Sequence, residues 1–100
     1  MKERAGLEGL YIEALSRLAI LCFSESDLTP SITTCEELLR YDNLREDVCR
    51  LLMQSHFIKG NRIQAIRAYQ DLTAALQKEL GVEPEVETRQ LFDRIKEPYR

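Results

Sequence analysis

The segment Gly60-Asn61-Arg62-Ile63-Gln64-Ala65-Ile66-Arg67-Ala68-Tyr69 decides how this chain folds. Gly60 tolerates the positive φ that closes a helix, and Asn61 is a residue type that caps the next one. The pair predicts a two-residue turn between antiparallel helices. A methyl side chain at Ala65 lets those helices cross closely, and the ring of Tyr69 fills the gap beyond the crossing. Reading forward, Ala65, Tyr69, Leu72, Leu76 and Leu80 form one stripe at helical spacing, ended by Gly81. Val82 then supplies the apolar contact of a glycine cap, and Pro84 bars continuation. Reading backward, Val48, Leu51, Leu52 and Ser55 predict a helix opening at Leu44, with Asn43 as its cap and Glu46 reaching back in a box-like pairing.

Three more helices follow from the same logic. Leu7, Leu10, Tyr11, Ala14, Leu15, Leu18 and Cys22 recur at intervals of three and four, the stripe of an amphipathic helix of about four turns. A polar link from Ser24 to Leu28 leads to Thr29 and Pro30, read as a cap and a first-position proline, and then to a helix carrying Ile32, Cys35, Leu38 and Leu39. A last helix, about 86–96, carries Leu91, Phe92 and Ile95.

Sliding the sequence along itself until Leu10 meets Leu44 also pairs Leu18 with Leu52, Phe23 with Phe57, Ile32 with Ile66 and Leu38 with Leu72. The same offset pairs Ser26 with Gly60, Ser31 with Ala65 and Cys35 with Tyr69. This offset equals the length of a tetratricopeptide repeat, and the spacing of Gly60, Ala65 and Tyr69 resembles that motif's turn glycine, close-packing alanine and knob aromatic. The expected fold is therefore all-α, with about five helices as antiparallel hairpins in a tetratricopeptide-like right-handed superhelix. We read residues 1–100 as a single domain, with repeats at about 10–43 and 44–77 and a capping helix at about 86–96. Solenoid ends need covering; the last helix covers one end, and helix 1 is left as the other.

Composition narrows the function. Hydrophobic residues make up 44% and charged residues 31%, with four glycines and three prolines, as in a globular helix-rich chain. A formal charge of −3 disfavours direct contact with nucleic acid or an anionic membrane. The longest apolar stretch, Leu18 to Phe23, is far below the ~20 residues that span a bilayer, so no membrane partner and a cytoplasmic location are expected. Cys22, Cys35 and Cys49, spaced 13 and 14 apart, fit neither a disulfide framework nor a zinc motif and read as small buried hydrophobes. His56 is the single histidine, and the adjacent Glu36 and Glu37 diverge by about 100° on a helix. With no converging nucleophile, base or ligand set, no catalytic residue, metal, cofactor or small-molecule substrate is expected.

The run from Leu44 to Ile95 resembles the bacterial transcriptional activator domain of Streptomyces antibiotic regulatory proteins and their relatives. The resemblance is carried by Leu44-Arg45-Glu46-Asp47, Leu52-Met53, Gly60 through Ala65 to Tyr69, Glu79-Leu80-Gly81 with Pro84, and Thr88 with Leu91. Helix 1, from Leu10 to Ala19, fits the same pattern. The resemblance implies transcription control through self-association or contact with the transcription machinery. In that family a winged-helix DNA-binding domain normally precedes the region. The few residues ahead of Leu7 are too short for one, so DNA binding is not expected of these residues themselves, whether the chain is a segment or a solitary domain.

Two candidate surfaces remain. In tetratricopeptide hairpins the first helix of each pair lines a concave groove, which here nominates Glu13, Ser16, Ile20, Phe23, Asp47, Arg50, Gln54 and Phe57. Ile20, Phe23 and Phe57 would give it an apolar edge suited to a helix or a second copy of the domain. The alternative is a generic scaffold that binds a peptide in this groove. From Val48 to Gln70 the chain has no Asp or Glu, and Lys59, Arg62 and Arg67 form a candidate basic edge for an acidic partner or phosphate.

Overall fold

The computed structural model describes residues 2–97, with side chains from residue 7 onward. Five α-helices, and no strand among these residues, make up the chain: α1 Lys2–Ser24, α2 Leu28–Tyr41, α3 Glu46–Ile58, α4 Arg62–Leu80 and α5 Val86–Lys96. Each packs against its neighbour in sequence, and α3 also touches α1 and α5.

The α1–α2 and α3–α4 turns are built alike, one repeat length apart. Ser26 and Gly60 both have positive φ, 60° and 90°. Asp27 N–H donates to Cys22 O and Asn61 N–H to His56 O, at 2.7 and 2.8 Å. Ser31 N–H donates to Asp27 O, and Ala65 N–H to Asn61 O, at 3.2 and 3.1 Å. Ser31 and Ala65, at equivalent places after the two turns, are both fully buried. The first hairpin thus makes the same turn without glycine, and Ser31 Oγ meets Ser55 Oγ of α3 at 2.9 Å.

The core has two parts. Ala19, Ile32, Cys35, Leu38, Val48 and Leu52 join α1, α2 and α3. Cys49, Met53, Ala65, Leu72, Leu76, Leu91 and Ile95 join α3, α4 and α5. Ala68 packs against both. Tyr69 stacks flat on Phe92 with ring centroids 3.9 Å apart, coupling α4 to α5, and Lys96 Nζ lies 5.1 Å from the centre of the Phe92 ring.

Four local readings are corrected. The cap of α2 is Asp27, so Pro30 sits at the third helical position, where its missing N–H is still one of the unpaired first four. The cap of α3 is Arg45 instead of Asn43, because Asp42 Oδ1 accepts Leu44 N–H at 3.0 Å and turns the chain before the helix starts. Glu46 makes no capping box; its carboxylate reaches across to Glu85 and Thr88 at the start of α5. At the end of α4, Gly81 is left-handed as expected, but Leu80 in the last turn is exposed.

Candidate interaction surfaces

Helix α1 is apolar on two faces. Ala19 is buried and Ile12 and Leu15 pack beside it against α2 and α3. The stripe read from the sequence lies largely outside this buried face: Leu7 is 69% exposed and Leu10 64%, Leu18 is exposed too, and Tyr11, also exposed, meets the Tyr41 ring at the end of α2 edge-on with centroids 5.7 Å apart. Leu21, absent from that reading, continues it at 55%. Leu7, Tyr11, Ala14, Leu18 and Leu21 follow one another at intervals of four, three, four and three, all exposed. That is the seam spacing of paired helices. At 1.5 Å per residue, α1 is about 34 Å long and α2 about 21 Å, so the first turns of α1 run past the end of α2.

The expected concave groove is only partly assembled. Ser16, Ile20 and Asp47 come together around a small cavity of about 120 Å³ floored by Ala19, Val48 and Leu51. Glu13 is paired with Arg17 on the surface, and Asp47 accepts two bonds from the Arg45 guanidinium, which hold its carboxyl below the usual range. Phe57 is exposed, whereas Phe23 and Gln54 are half-buried. Arg50 serves a different purpose.

Arg50 and Glu46, one turn apart on α3, clamp the first turn of α5. Glu46 accepts the Glu85 backbone N–H at 2.9 Å and the Thr88 hydroxyl at 2.7 Å. A carboxylate at a helix N-terminus meets the positive end of its dipole. Arg50 donates to the same Thr88 hydroxyl at 2.9 Å and lies within 3.3 and 3.5 Å of Glu85 and Glu87. Thr88 is fully buried, so this polar contact is shielded from water. Neither Glu46 nor Thr88 could be assigned this role from local sequence, since 42 residues separate them.

The candidate basic edge is dispersed. Lys59 Nζ donates to Thr29 Oγ1 at 2.8 Å. Arg62 and Arg67, five positions apart on α4, point about 140° away from each other. Neither is in an ion pair among the described residues. Gly60 has positive φ in the α3–α4 turn, Ala65 is fully buried, and the Tyr69 ring stacks on Phe92 of α5.

A profile of the bacterial transcriptional activator domain matches residues 1–96. The chain belongs to the bacterial transcriptional activator domain family. It is similar to the transcriptional regulatory protein MoaR1 of Mycobacterium bovis (strain BCG / Pasteur 1173P2), 32% identical over 90 residues, which are 90% of this chain and 28% of that protein. MoaR1 of Mycobacterium tuberculosis (strain ATCC 25618 / H37Rv) is likewise 32% identical over 81 residues, covering 81% of this chain and 25% of the relative. The chain therefore spans about a quarter of the length of these regulators. No solved structure matches it.

Within this activator domain the thiols are packing groups. Burial pushes Cys35 and Cys49 up to about 12, far from thiolate formation at neutral pH, and Cys49 Sγ donates to Ala68 O at 3.4 Å. Cys22 is half-buried, and all three are free. His56 is buried on α3, and burial holds its imidazole below the ordinary value of 6.5 against the opposing pull of Glu36. No helix is long and apolar enough to cross a membrane among the described residues.

Proposed function

We propose that this chain is the regulatory, protein-contacting part of a bacterial transcriptional activator, a binding module instead of an enzyme, and that it works by pairing the outer face of α1 with the same face of a second copy. The observation that carries this reading is the exposed seam Leu7, Tyr11, Ala14, Leu18, Leu21, flanked by Leu10. A contiguous exposed apolar patch marks an interaction site, and a spacing of four and three suits a like helix better than a flat surface. The two turns that match bond for bond, one repeat length apart, support reading 10–43 and 44–77 as tetratricopeptide-like repeats of a right-handed superhelix, with 86–96 as the cap. Helix α1 is then its uncovered end.

The alternative, a scaffold that grips a peptide between α1 and α3, has less behind it. Its cavity holds about 120 Å³, the cation at its wall, Arg45, is paired with Asp47, and Arg50 is turned to α5. In this reading contact with DNA belongs to a winged-helix domain outside these residues, because Lys59, Arg62 and Arg67 form no continuous surface.

Sedimentation equilibrium across a concentration series tests the proposal. The wild-type chain is expected to self-associate and Leu18→Glu to sediment as a folded monomer. In a full-length regulator, Leu18→Glu is expected to abolish activation of a reporter promoter. A strictly monomeric wild type at millimolar concentration, or a self-association that Leu18→Glu leaves unchanged, overturns it.

A further inference from the structure

Helices α2 and α4 pack on α3 without meeting each other, and they leave a cleft of about 310 Å³ to which no α1 residue contributes. Its floor is apolar: Leu39 from α2, Leu52 from α3, and Ala68 and Leu72 from α4. Ala68 is the small residue that both core parts share, and its missing bulk is what keeps the cleft open. The Cys49 thiol in its wall is already satisfied, since Sγ donates to the Ala68 carbonyl. The volume lies at the lower limit of ligand pockets, enough for one or two side chains and too small for a large cofactor.

The two walls carry unpaired acids. Glu36 on α2 and Asp71 on α4 border the cleft from opposite sides, and neither is in an ion pair among the described residues. Arg40 at the same rim is neutralised by Glu37, and Arg67, one turn before Asp71, makes no ion pair with it. An apolar floor between two free carboxylates selects a ligand that is apolar at its tip and cationic beside it.

We propose that the α2–α4 cleft is a docking site for a basic peptide segment of a partner protein, which seats one leucine-sized side chain on Leu39, Leu52, Ala68 and Leu72 and sets an arginine or lysine between Glu36 and Asp71. The site shares no residue with the α1 seam, so one surface is free while the other is occupied. Nucleic acid, negatively charged like Glu36 and Asp71, is repelled here.

Two labelled dodecapeptides test this, one with a central leucine flanked by arginines and one with the leucine flanked by glutamates, titrated into the ¹⁵N-labelled full chain. The arginine peptide is expected to shift amides around Leu39, Leu52, Ala68 and Leu72 saturably, and the glutamate peptide is not. Glu36→Gln and Asp71→Asn should each weaken binding about two- to fivefold, with unchanged melting, as befits partly exposed ion pairs. Ala68→Leu, which fills the cleft, should block it; if that variant fails to fold, the two charge variants still decide. Equal binding of the two peptides, shifts confined to the outer face of α1, no saturable shift at millimolar peptide, or an unchanged affinity in both charge variants overturns the proposal. The α1 reading stands or falls separately, on sedimentation.

Discussion

Ser26 and Gly60 stand one repeat length apart and share the same left-handed backbone, at φ 60° and 90°. Only the glycine adopts it without strain. An L side chain in this region costs roughly 1–2 kcal/mol, and Ser26 bears that cost because the turn around it is fixed by the bonds from Ser26 and Asp27 N–H to Phe23 and Cys22 O.

Ser26→Gly should accordingly stabilise the chain and Gly60→Ala destabilise it. A Cβ on Gly60 meets nothing within 4 Å, so the loss is purely one of backbone conformation. Thermal melting followed by circular dichroism should show opposite shifts of about 4–8 °C per kcal/mol. A lower melting point for Ser26→Gly would mean that its side chain stabilises the turn by more than the strain costs.

The buried Ser31 and Ser55 hydroxyls should behave as a coupled pair. Removing one leaves the other without its partner across the helix crossing, and Ser31→Ala or Ser55→Ala should each cost about 1–2 kcal/mol. The double variant should cost less than the sum, since two methyl groups can pack where two hydroxyls bonded. A denaturant-based double-mutant cycle measures the coupling, and strict additivity would show that the bond contributes nothing.

Glu46→Ala should loosen α5 before the rest of the chain. The variant loses the acceptor for Glu85 N–H and Thr88 Oγ1 and leaves Arg50 with the Thr88 hydroxyl and the exposed Glu85 and Glu87. The expected loss is about 1–2 kcal/mol, in the range of a helix cap. Hydrogen exchange should localise it to amides of Leu91 to Ile95, while those of α2 stay protected.

Acid should weaken the fold in two separate windows. The imidazole of His56 is held below 6.5, so the unfolded chain binds the proton more readily, and stability declines as pH falls below about 6.5 toward the lower folded value. Asp47 is depressed from 3.8, so its contribution persists well below neutrality and is lost only as pH falls through that lower range. His56→Gln should flatten the first window and leave the second. Melting curves from about pH 4.5 to 8 check the first of these, and an unchanged slope in the variant would show that His56 is not its source.

The turns of this fold are legible in the sequence because their requirements are local. Gly60 and Gly81 declare positive φ, and the repeat offset exposes Ser26 and Ser31 as counterparts of Gly60 and Ala65 although their chemistry differs. The start of α2 lies earlier than Thr29-Pro30 suggests. Proline is tolerated anywhere among the first unpaired N–H groups, so the pair marks a first turn without fixing its first residue. Which side of α1 faces the core is not legible, since periodicity reports a stripe and α1 has two. The α3–α5 clamp is hidden more deeply. Glu46 has the spacing of a local capping partner, and only the packing of α5 shows that it caps a different helix.

Because α1 reaches no further than α2 and α3, and α5 no further than α3 and α4, the 13 residues of α3 are the one helix that both halves of the core grip. It serves as an axle. A ligand wedged between α2 and α4 would turn the halves about it, and α1 would swing with the first. Stress entering at one half of the molecule thus has a mechanical route to the other along α3, from Val48, Leu52 and Ser55 on the first half to Cys49, Met53 and the Glu46 and Arg50 clamp on the second, with Ala68 packed against both.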